Sequence, residues 1–118
     1  MKIIRFFTYL SFVLLFSGCM TDMHSHNIID VTESETIILE KQTEQGFVHS
    51  LIIIGTGKLD GKAEIVMILN GKPYTTEYLS GDVDFSWGGD WYSDQVEIRY
   101  TAVSVTGGNL MLKYEFHD

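Results

Sequence analysis

The sequence predicts an all-β protein, a single small antiparallel β-sandwich or barrel of six to eight strands. Three segments alternate apolar and polar residues with period two, which places the apolar side chains on one face of a strand. These segments are residues 63–70, 95–102 and 110–117. Asp60-Gly61 and Asn70-Gly71 are dipeptides that hairpin turns prefer, because such turns need positive φ angles. Turn signals about 10 residues apart are typical of sandwiches and small barrels.

The first eighteen residues differ from the rest of the chain. Lys2 and Arg5 precede an apolar run over residues 6–16, and small residues lead from that run to Cys19. A positive start, an apolar core of about 7–15 residues and a small-residue end are typical of a secretory signal. The run is shorter than the roughly 20 residues of a transmembrane helix. We therefore expect residues 1–18 to be a cleaved export signal.

The end of this leader, Phe16-Ser17-Gly18-Cys19, resembles the lipobox of bacterial lipoproteins. In that class a signal peptidase cuts before the cysteine, and the thiol then carries a diacylglycerol. Phe16 departs from the pattern, since the class usually has an aliphatic residue there. The resemblance implies that Cys19, the single cysteine of the chain, is lipidated and anchors the protein to a membrane. Each buried CH₂ group of such an anchor contributes about 0.8 kcal/mol.

The residues after the cysteine give the expected location and domain boundary. In enterobacterial lipoproteins an Asp directly after the cysteine favours the inner membrane, so Met20 implies the outer membrane, with the domain facing the periplasm. We expect residues 19–35 to comprise the lipidated cysteine and a flexible tether, and residues 36–118 to form the β domain. The tether also contains side chains that suit copper, namely Met20, Met23, His24 and His26.

The remaining elements follow in chain order. Residues 36–40 are expected to form a strand, with a helix over residues 34–44 as the alternative. The continuous apolar run over residues 51–54 predicts a central strand covered on both sides. Residues 74–80 are a shorter strand candidate, and the Gly-Gly-Asn sequence at residues 107–109 indicates a further turn.

Charge excludes some classes of partner. Without the leader, six basic residues face sixteen acidic ones, and 6 − 16 gives a formal net charge of −10. A nucleic-acid-binding protein needs a basic surface, so we do not expect nucleic acid as a partner. The same charge argues against lying flat on anionic lipids. It suits either a solvated surface or a basic protein partner.

The most distinctive segment covers residues 81–94, which hold both tryptophans and four aspartates and which we expect to form an irregular loop. Tryptophan and tyrosine are favoured anchors of protein interfaces, and the neighbouring acids would steer a basic partner to them. The expected partner- or ligand-binding residues are Trp87, Asp90, Trp91, Tyr92 and Asp94. Two alternatives stay open: the rings stack on a sugar, or they close one end of the barrel while the aspartates cap turns.

A weaker pattern in the same segment is the spacing of an EF-hand calcium loop. The metal candidates at alternate loop positions are Asp82, Asp84, Ser86 and Asp90. However, Trp87 stands where the motif needs glycine, and Ser93 stands where it needs a bidentate glutamate. We therefore assign no metal and no other cofactor. The sequence also lacks a nucleophile elbow, a zinc-protease motif and a phosphate-binding loop, so we do not expect an enzyme.

The expected function is non-catalytic binding by a lipid-anchored envelope protein. More specifically, we expect an inhibitor or immunity protein that blocks a cationic enzyme acting on the envelope. The alternatives are a carbohydrate- or peptidoglycan-binding or structural envelope lipoprotein and, third, a calcium- or copper-binding periplasmic protein. Every interpretation except copper binding by the tether depends on whether Trp87 and Trp91 are exposed.

Overall fold

The computed structural model describes residues 23–118, so the leader and Cys19 lie outside the described residues. The strands are β1 (His24–Asn27), β2 (Glu35–Glu40), β3 (Ser50–Leu69), β4 (Lys72–Asp90), β5 (Gln95–Ala102) and β6 (Gly107–His117). They form one antiparallel sheet, which confirms the predicted all-β class. Within the described range there is no helix that could cross a membrane.

The central strand of the sheet is β3, which is 20 residues long and pairs with three other strands. Along one side it pairs with β4 from end to end. Along the other side it pairs first with β6, over residues 50–60, and then with β5, over residues 63–68. The sheet thus has a first arm, ordered β1-β6-β3-β4, and a second arm, ordered β2-β5-β3-β4. The two arms curl towards each other as a half-barrel.

The inward faces of both arms pack into one hydrophobic core. The alternation predicted for β5 and β6 is confirmed, because six apolar positions are buried: Val96, Ile98, Tyr100, Leu110, Leu112 and Phe116. The other two, Ala102 and Tyr114, are partly buried and pack against the core. In the second half of β3, Val66 and Ile68 are buried on the outward face as well. Their cross-strand partners on β5 are Arg99 and Glu97, respectively. The aliphatic stems of these two side chains can cover apolar neighbours while their charged ends form an ion pair at the surface.

A bend in β3 separates the two arms, at the dipeptide that the sequence suggested as a hairpin turn. Asp60 and Gly61 have no partner on β4, because the pairing register shifts between Leu59 and Lys62. Gly61 has the positive φ expected of the dipeptide, 118°. The chain nevertheless continues in the same strand, because β6 and β5 pair with it before and after the bend.

The connection between β5 and β6 holds this bend in place. The carbonyl oxygen of Lys62 accepts hydrogen bonds from the backbone N–H groups of Val103 and Ser104, at 3.0 and 2.9 Å. The Thr106 N–H donates to the carbonyl oxygen of Asp60 at 2.8 Å. The expected turn at residues 107–109 is therefore the beginning of β6. Residues 103–106 do not reverse the chain, because β5 and β6 both run antiparallel to β3 and follow one another along it.

The hairpin between β3 and β4 turns at Asn70-Gly71, as the sequence predicts. Both residues have positive φ angles, 53° and 76°, and they are the two residues between the strands. A two-residue turn of this kind matches the twist of antiparallel strands.

The folded domain begins before residue 36, within the expected tether. His24–Asn27 pairs with β6, and Ile28 and Val31 are buried in the core. The Tyr100 hydroxyl donates to the Val31 carbonyl oxygen at 2.6 Å, and burial raises the pKa of this phenol. Hydrogen bonds from the Thr32 hydroxyl and backbone N–H lower the pKa of Asp30. The sequence predicted a tether here because most of residues 19–35 are polar, but Ile28 and Val31 pack in the core.

The bend can be tested with a matched pair of glycine substitutions. At Gly61 a Cβ atom would lie 2.0 Å from the Ser104 carbonyl oxygen, whereas at Gly71 it would meet nothing within 4 Å. Both glycines have positive φ, so an alanine at either position costs about 1–2 kcal/mol of backbone strain. We expect Gly61→Ala to lower the free energy of unfolding by a further 1–3 kcal/mol, roughly, through the clash. Urea unfolding midpoints measure the difference, and equal losses would contradict this account of the bend.

Candidate functional site

The segment expected to be an irregular loop is mostly strand. β4 runs to Asp90, and only residues 91–94 connect it to β5. Val83, Phe85 and Trp87 point into the core, while the residues between them are exposed. This is the same period-two alternation that predicted the other strands, and the concentration of acids and glycines in the segment obscured it. The loop prediction was therefore wrong for residues 81–90.

Both tryptophans are buried rather than exposed, with 8% and 7% of their surface accessible. The Trp87 ring lies 4.9 Å from the Phe85 ring, between centroids, within the core. The Trp91 Nε1 group donates to the Gln95 carbonyl oxygen at 3.0 Å, which fixes the ring at the end of β4. The Trp91 ring also meets Tyr74 edge-on, with centroids 6.3 Å apart. These rings therefore do not form an exposed anchor pair.

The two tryptophans instead line a cleft of about 250 Å³ between the arms. The second arm contributes Met67, Tyr74 and Thr75, and the first arm contributes Trp87 and Asp90, with Trp91 directly after it. Tyr74 is 61% exposed, so its ring stands at the rim. The cleft thus combines aromatic side chains with the Asp90 carboxylate and the Thr75 hydroxyl. Apolar and aromatic side chains with a few polar groups are typical of binding sites.

One buried polar group in this region has no partner. Among the described residues, the Trp87 indole nitrogen is the buried side-chain nitrogen or oxygen that makes no hydrogen bond. An unpaired buried donor costs roughly 1–3 kcal/mol relative to a paired one. The two tryptophans of the cleft therefore differ, because Trp91 has its hydrogen bond and Trp87 does not.

The acids of the segment lie around the cleft and along the outer face of β4. Asp90 and Tyr92 are exposed, and Asp94 forms an ion pair with Lys41 at 3.3 Å. Asp82 lies opposite Lys58 in the register of β3 and β4, and Asp84 lies opposite Thr56. The structure therefore keeps Asp90 beside the rings and leaves Tyr92 and Asp94 in the exposed connection.

The geometry does not reproduce an EF-hand loop. Asp82, Asp84, Ser86 and Asp90 lie along an extended strand, whereas a calcium loop must wrap its oxygens around the ion. Within residues 23–118 no cluster of three or more metal-ligating side chains occurs.

The histidines of the expected tether are held by the fold. Their strand, β1, pairs with β6. His26 Nε2 lies 3.2 Å from Glu35 Oε2, and the His24 ring lies 5.8 Å from the Tyr114 ring. Met20, the first member of the copper candidate, lies outside the described residues.

One polar constellation was missed at the sequence level. Ser50 Oγ lies 3.1 Å from His117 Nδ1, and His117 Nε2 lies 3.1 Å from Glu115 Oε1. This is the order of nucleophile, base and orienting acid used in covalent catalysis. However, half of the His117 side chain is open to solvent, and none of the three residues lines the cleft. Only strand pairing brings Ser50 to His117, so no local sequence motif marks the group.

Comparison with known proteins adds little. No family model matches the chain, and no curated protein matches its sequence. A solved structure with some similarity is the solution NMR structure of a de novo designed double-stranded β-helix. It shares 12% sequence identity and a TM-score of 0.39, over 82% of this chain and 100% of that chain. A TM-score this low carries no argument about fold or function.

The burial of the rings can be tested with variants that retain a single tryptophan. We expect Trp87→Phe and Trp91→Phe each to leave one blue-shifted emitter that acrylamide quenches weakly, because both rings are buried. Trp91→Phe should also be the less stable variant, since it leaves the Gln95 carbonyl without its donor, at a cost of about 1 kcal/mol. Trp87→Phe removes a donor that had no partner.

Steady-state quenching and urea unfolding of the two variants give both answers. Each variant is the matched control of the other, because both lose the same indole volume. Strong quenching of either emitter, or a Trp87→Phe variant less stable than Trp91→Phe, would contradict the packing described above.

Proposed function

We propose that this chain is a lipid-anchored envelope protein that binds a basic protein without catalysis, as an inhibitor or immunity protein against a cationic envelope-directed enzyme. The observation that carries the proposal is the cleft between the arms, where Tyr74 and Asp90 flank the two buried indole rings. A lysine or arginine side chain entering this cleft would meet the exposed Tyr74 ring and the Asp90 carboxylate together. Cation–π contacts and charge-assisted hydrogen bonds both favour such an arrangement.

The charge of the domain supports the same class of partner. The mature chain has a formal net charge of −10, from 6 − 16. A field of this sign accelerates encounter with a basic protein and discourages acidic ones. The rigid strands on either side of the cleft hold the rings before binding, so little conformational freedom is lost when a partner docks.

A second candidate function is binding of a peptidoglycan fragment. The specific observation in its favour is Tyr74, whose exposed ring at the rim of the cleft could stack on a sugar while Asp90 accepts hydrogen bonds from hydroxyl groups. The two candidates respond differently to salt. Ionic attraction weakens as the Debye length falls from about 10 Å at 0.1 M to about 3 Å at 1 M, whereas stacking on a neutral sugar does not.

The binding test uses the whole protein in detergent and lysozyme, a basic enzyme that acts on peptidoglycan. We expect binding that weakens by tenfold or more, roughly, between low and high salt, because attraction between exposed charges is screened. Tyr74→Ala with Asp90→Asn should weaken it by about tenfold or more, equivalent to about 1.4 kcal/mol. Isothermal calorimetry over a salt series gives both results, with lysozyme activity as a second readout.

The matched control is Glu33→Gln, which removes the same charge as Asp90→Asn from the turn before β2. This variant should bind almost as well as the unaltered protein. Absence of lysozyme binding, or equal losses in the cleft and control variants, would contradict a basic protein as the partner in this cleft. Salt-independent binding of soluble peptidoglycan fragments that requires Tyr74 would establish the second candidate instead.

The membrane anchor has its own test in an enterobacterial host. We expect the unaltered protein to incorporate labelled palmitate and to fractionate with the outer membrane, as its resemblance to lipoproteins implies. Cys19→Ser should lose the label, because it removes the thiol that accepts the lipid. Met20→Ala is the control and should keep both properties, whereas Met20→Asp should keep the label and move to the inner membrane. Label on Cys19→Ser would overturn the assignment of the anchor.

A further inference from the structure

Strand β4 is an edge of the sheet along its whole length. It pairs with β3 on one side, and no other strand among residues 23–118 pairs with its second side. An unpaired edge presents a row of backbone N–H and C=O groups that can accept another strand. In this fold the free edge borders the cleft, because residues 86–90 of the same strand line it.

Backbone hydrogen bonds identify which residues of the first arm face that edge. The Trp91 N–H donates to the His49 carbonyl oxygen in the same register that pairs Leu51 with Gly89. In an antiparallel ladder, residues whose backbone faces the partner strand alternate with residues whose backbone faces away. The odd-numbered residues of β4 therefore bond to β3. The residues that offer their N–H and C=O groups to the free edge are Asp82, Asp84, Ser86, Gly88 and Asp90.

The side chains of this edge alternate in chemistry as well. Asp82 and Asp84 are exposed on the outward face, and Asp90 is exposed beside the cleft at the end of the strand, whereas Phe85 and Trp87 are buried on the inward face. Of the three acids, Asp82 has a basic cross-strand neighbour, Lys58. An antiparallel strand added here would place the side chains of its hydrogen-bonded residues beside the aspartates. Its intervening side chains would cover Phe85 and Trp87.

From this pattern we infer that residues 82–90 of β4 bind an extended segment of the basic partner, in which basic residues alternate with apolar ones. The inference rests on the proposed function for the class of partner and adds the mode of recognition. The basic residues pair with the outward aspartates across the strands, a contact that stabilises a sheet. The apolar residues close the open side of the half-barrel, so strand addition and cleft binding occur together.

The same acids argue against a second copy of this chain as the occupant. Two β4 strands paired edge to edge would bring six aspartates together, Asp82, Asp84 and Asp90 from each chain. Like charges placed opposite each other destabilise a strand pair. Acidic side chains on an exposed edge are a common protection against self-association, and they leave the edge open to a strand of opposite charge.

The test uses the whole protein in detergent and a synthetic peptide of alternating lysine and valine, as long as residues 82–90. Amide hydrogen exchange should slow at residues 84, 86 and 88 when the peptide binds. It should change little at residues 85 and 87, whose amides already bond to β3. A peptide methylated at its lysine amides should lose affinity by at least about tenfold, because these amides face the edge, whereas methylation of the valine amides should have little effect.

Protein variants test the same edge from the other side. Ser86→Pro removes one free edge N–H without removing a bond to β3, and proline is tolerated where an edge N–H faces solvent. We expect this variant to keep its blue-shifted tryptophan emission and to bind the peptide at least tenfold more weakly, roughly the cost of one lost hydrogen bond. Asp82→Asn with Asp84→Asn should weaken binding and reduce its dependence on salt. If Ser86→Pro does not fold, the methylated peptides still decide.

The outcomes separate this inference from the proposed function. Peptide binding without protection of the even-numbered amides, or equal effects of the two methylation patterns, would overturn strand addition. Slow exchange of the edge amides before peptide is added would also overturn strand addition by the partner, since a second copy or the residues before 23 would then occupy the edge. Lysozyme binding that needs Tyr74 and Asp90 but ignores Ser86→Pro would leave the cleft function and overturn the edge. If the peptide protects the edge amides but lysozyme does not bind, strand addition at the edge would stand and the proposed function would be overturned.

Discussion

The fold depends on the bend at residues 60–62 and on the backbone hydrogen bonds that hold it. The Lys62 carbonyl accepts two N–H groups and the Asp60 carbonyl accepts one, all three from the connection between β5 and β6. Because of this contact, one strand of 20 residues can pair with β6 before the bend and with β5 after it. A straight β3 would hold both arms in one flat sheet, with its apolar face open to water on one side. The bend brings the two apolar faces together into a single core.

The bend also determines where the domain is open. On the side of β5 and β6, the arms are extended by β2 and β1, and the segment between those strands buries Ile28 and Val31 in the core. On the side of β4 no described strand extends either arm. The cleft and the free strand edge therefore lie on the same side of the molecule, and both result from the same asymmetry of the sheet. This coincidence is the physical reason for proposing that β4 recognises a partner.

Much of the fold could be predicted from the sequence because local patterns determine it. The alternation in β5 and β6 and the Asn70-Gly71 turn need only neighbouring residues, and the structure confirms them. Asp60-Gly61 met the same local requirement, positive φ, yet lies at a bend rather than a turn. The difference is set by residues 103–106, about forty positions away in the sequence. A prediction from a short stretch of sequence cannot include a hydrogen-bond partner this far along the chain.

The site was harder to predict for a related reason. Composition singled out residues 81–94 as the unusual segment, and both tryptophans and Asp90 of that segment line the cleft. Composition could not show that the rings face inward, because burial depends on Tyr74 and Met67 of the opposite arm. The alternation of aspartates with Val83, Phe85 and Trp87 was present in the sequence and indicates a strand with two unlike faces. The segment proposed to bind at this open edge matches such a strand, because its own faces differ in the same way, basic on one side and apolar on the other.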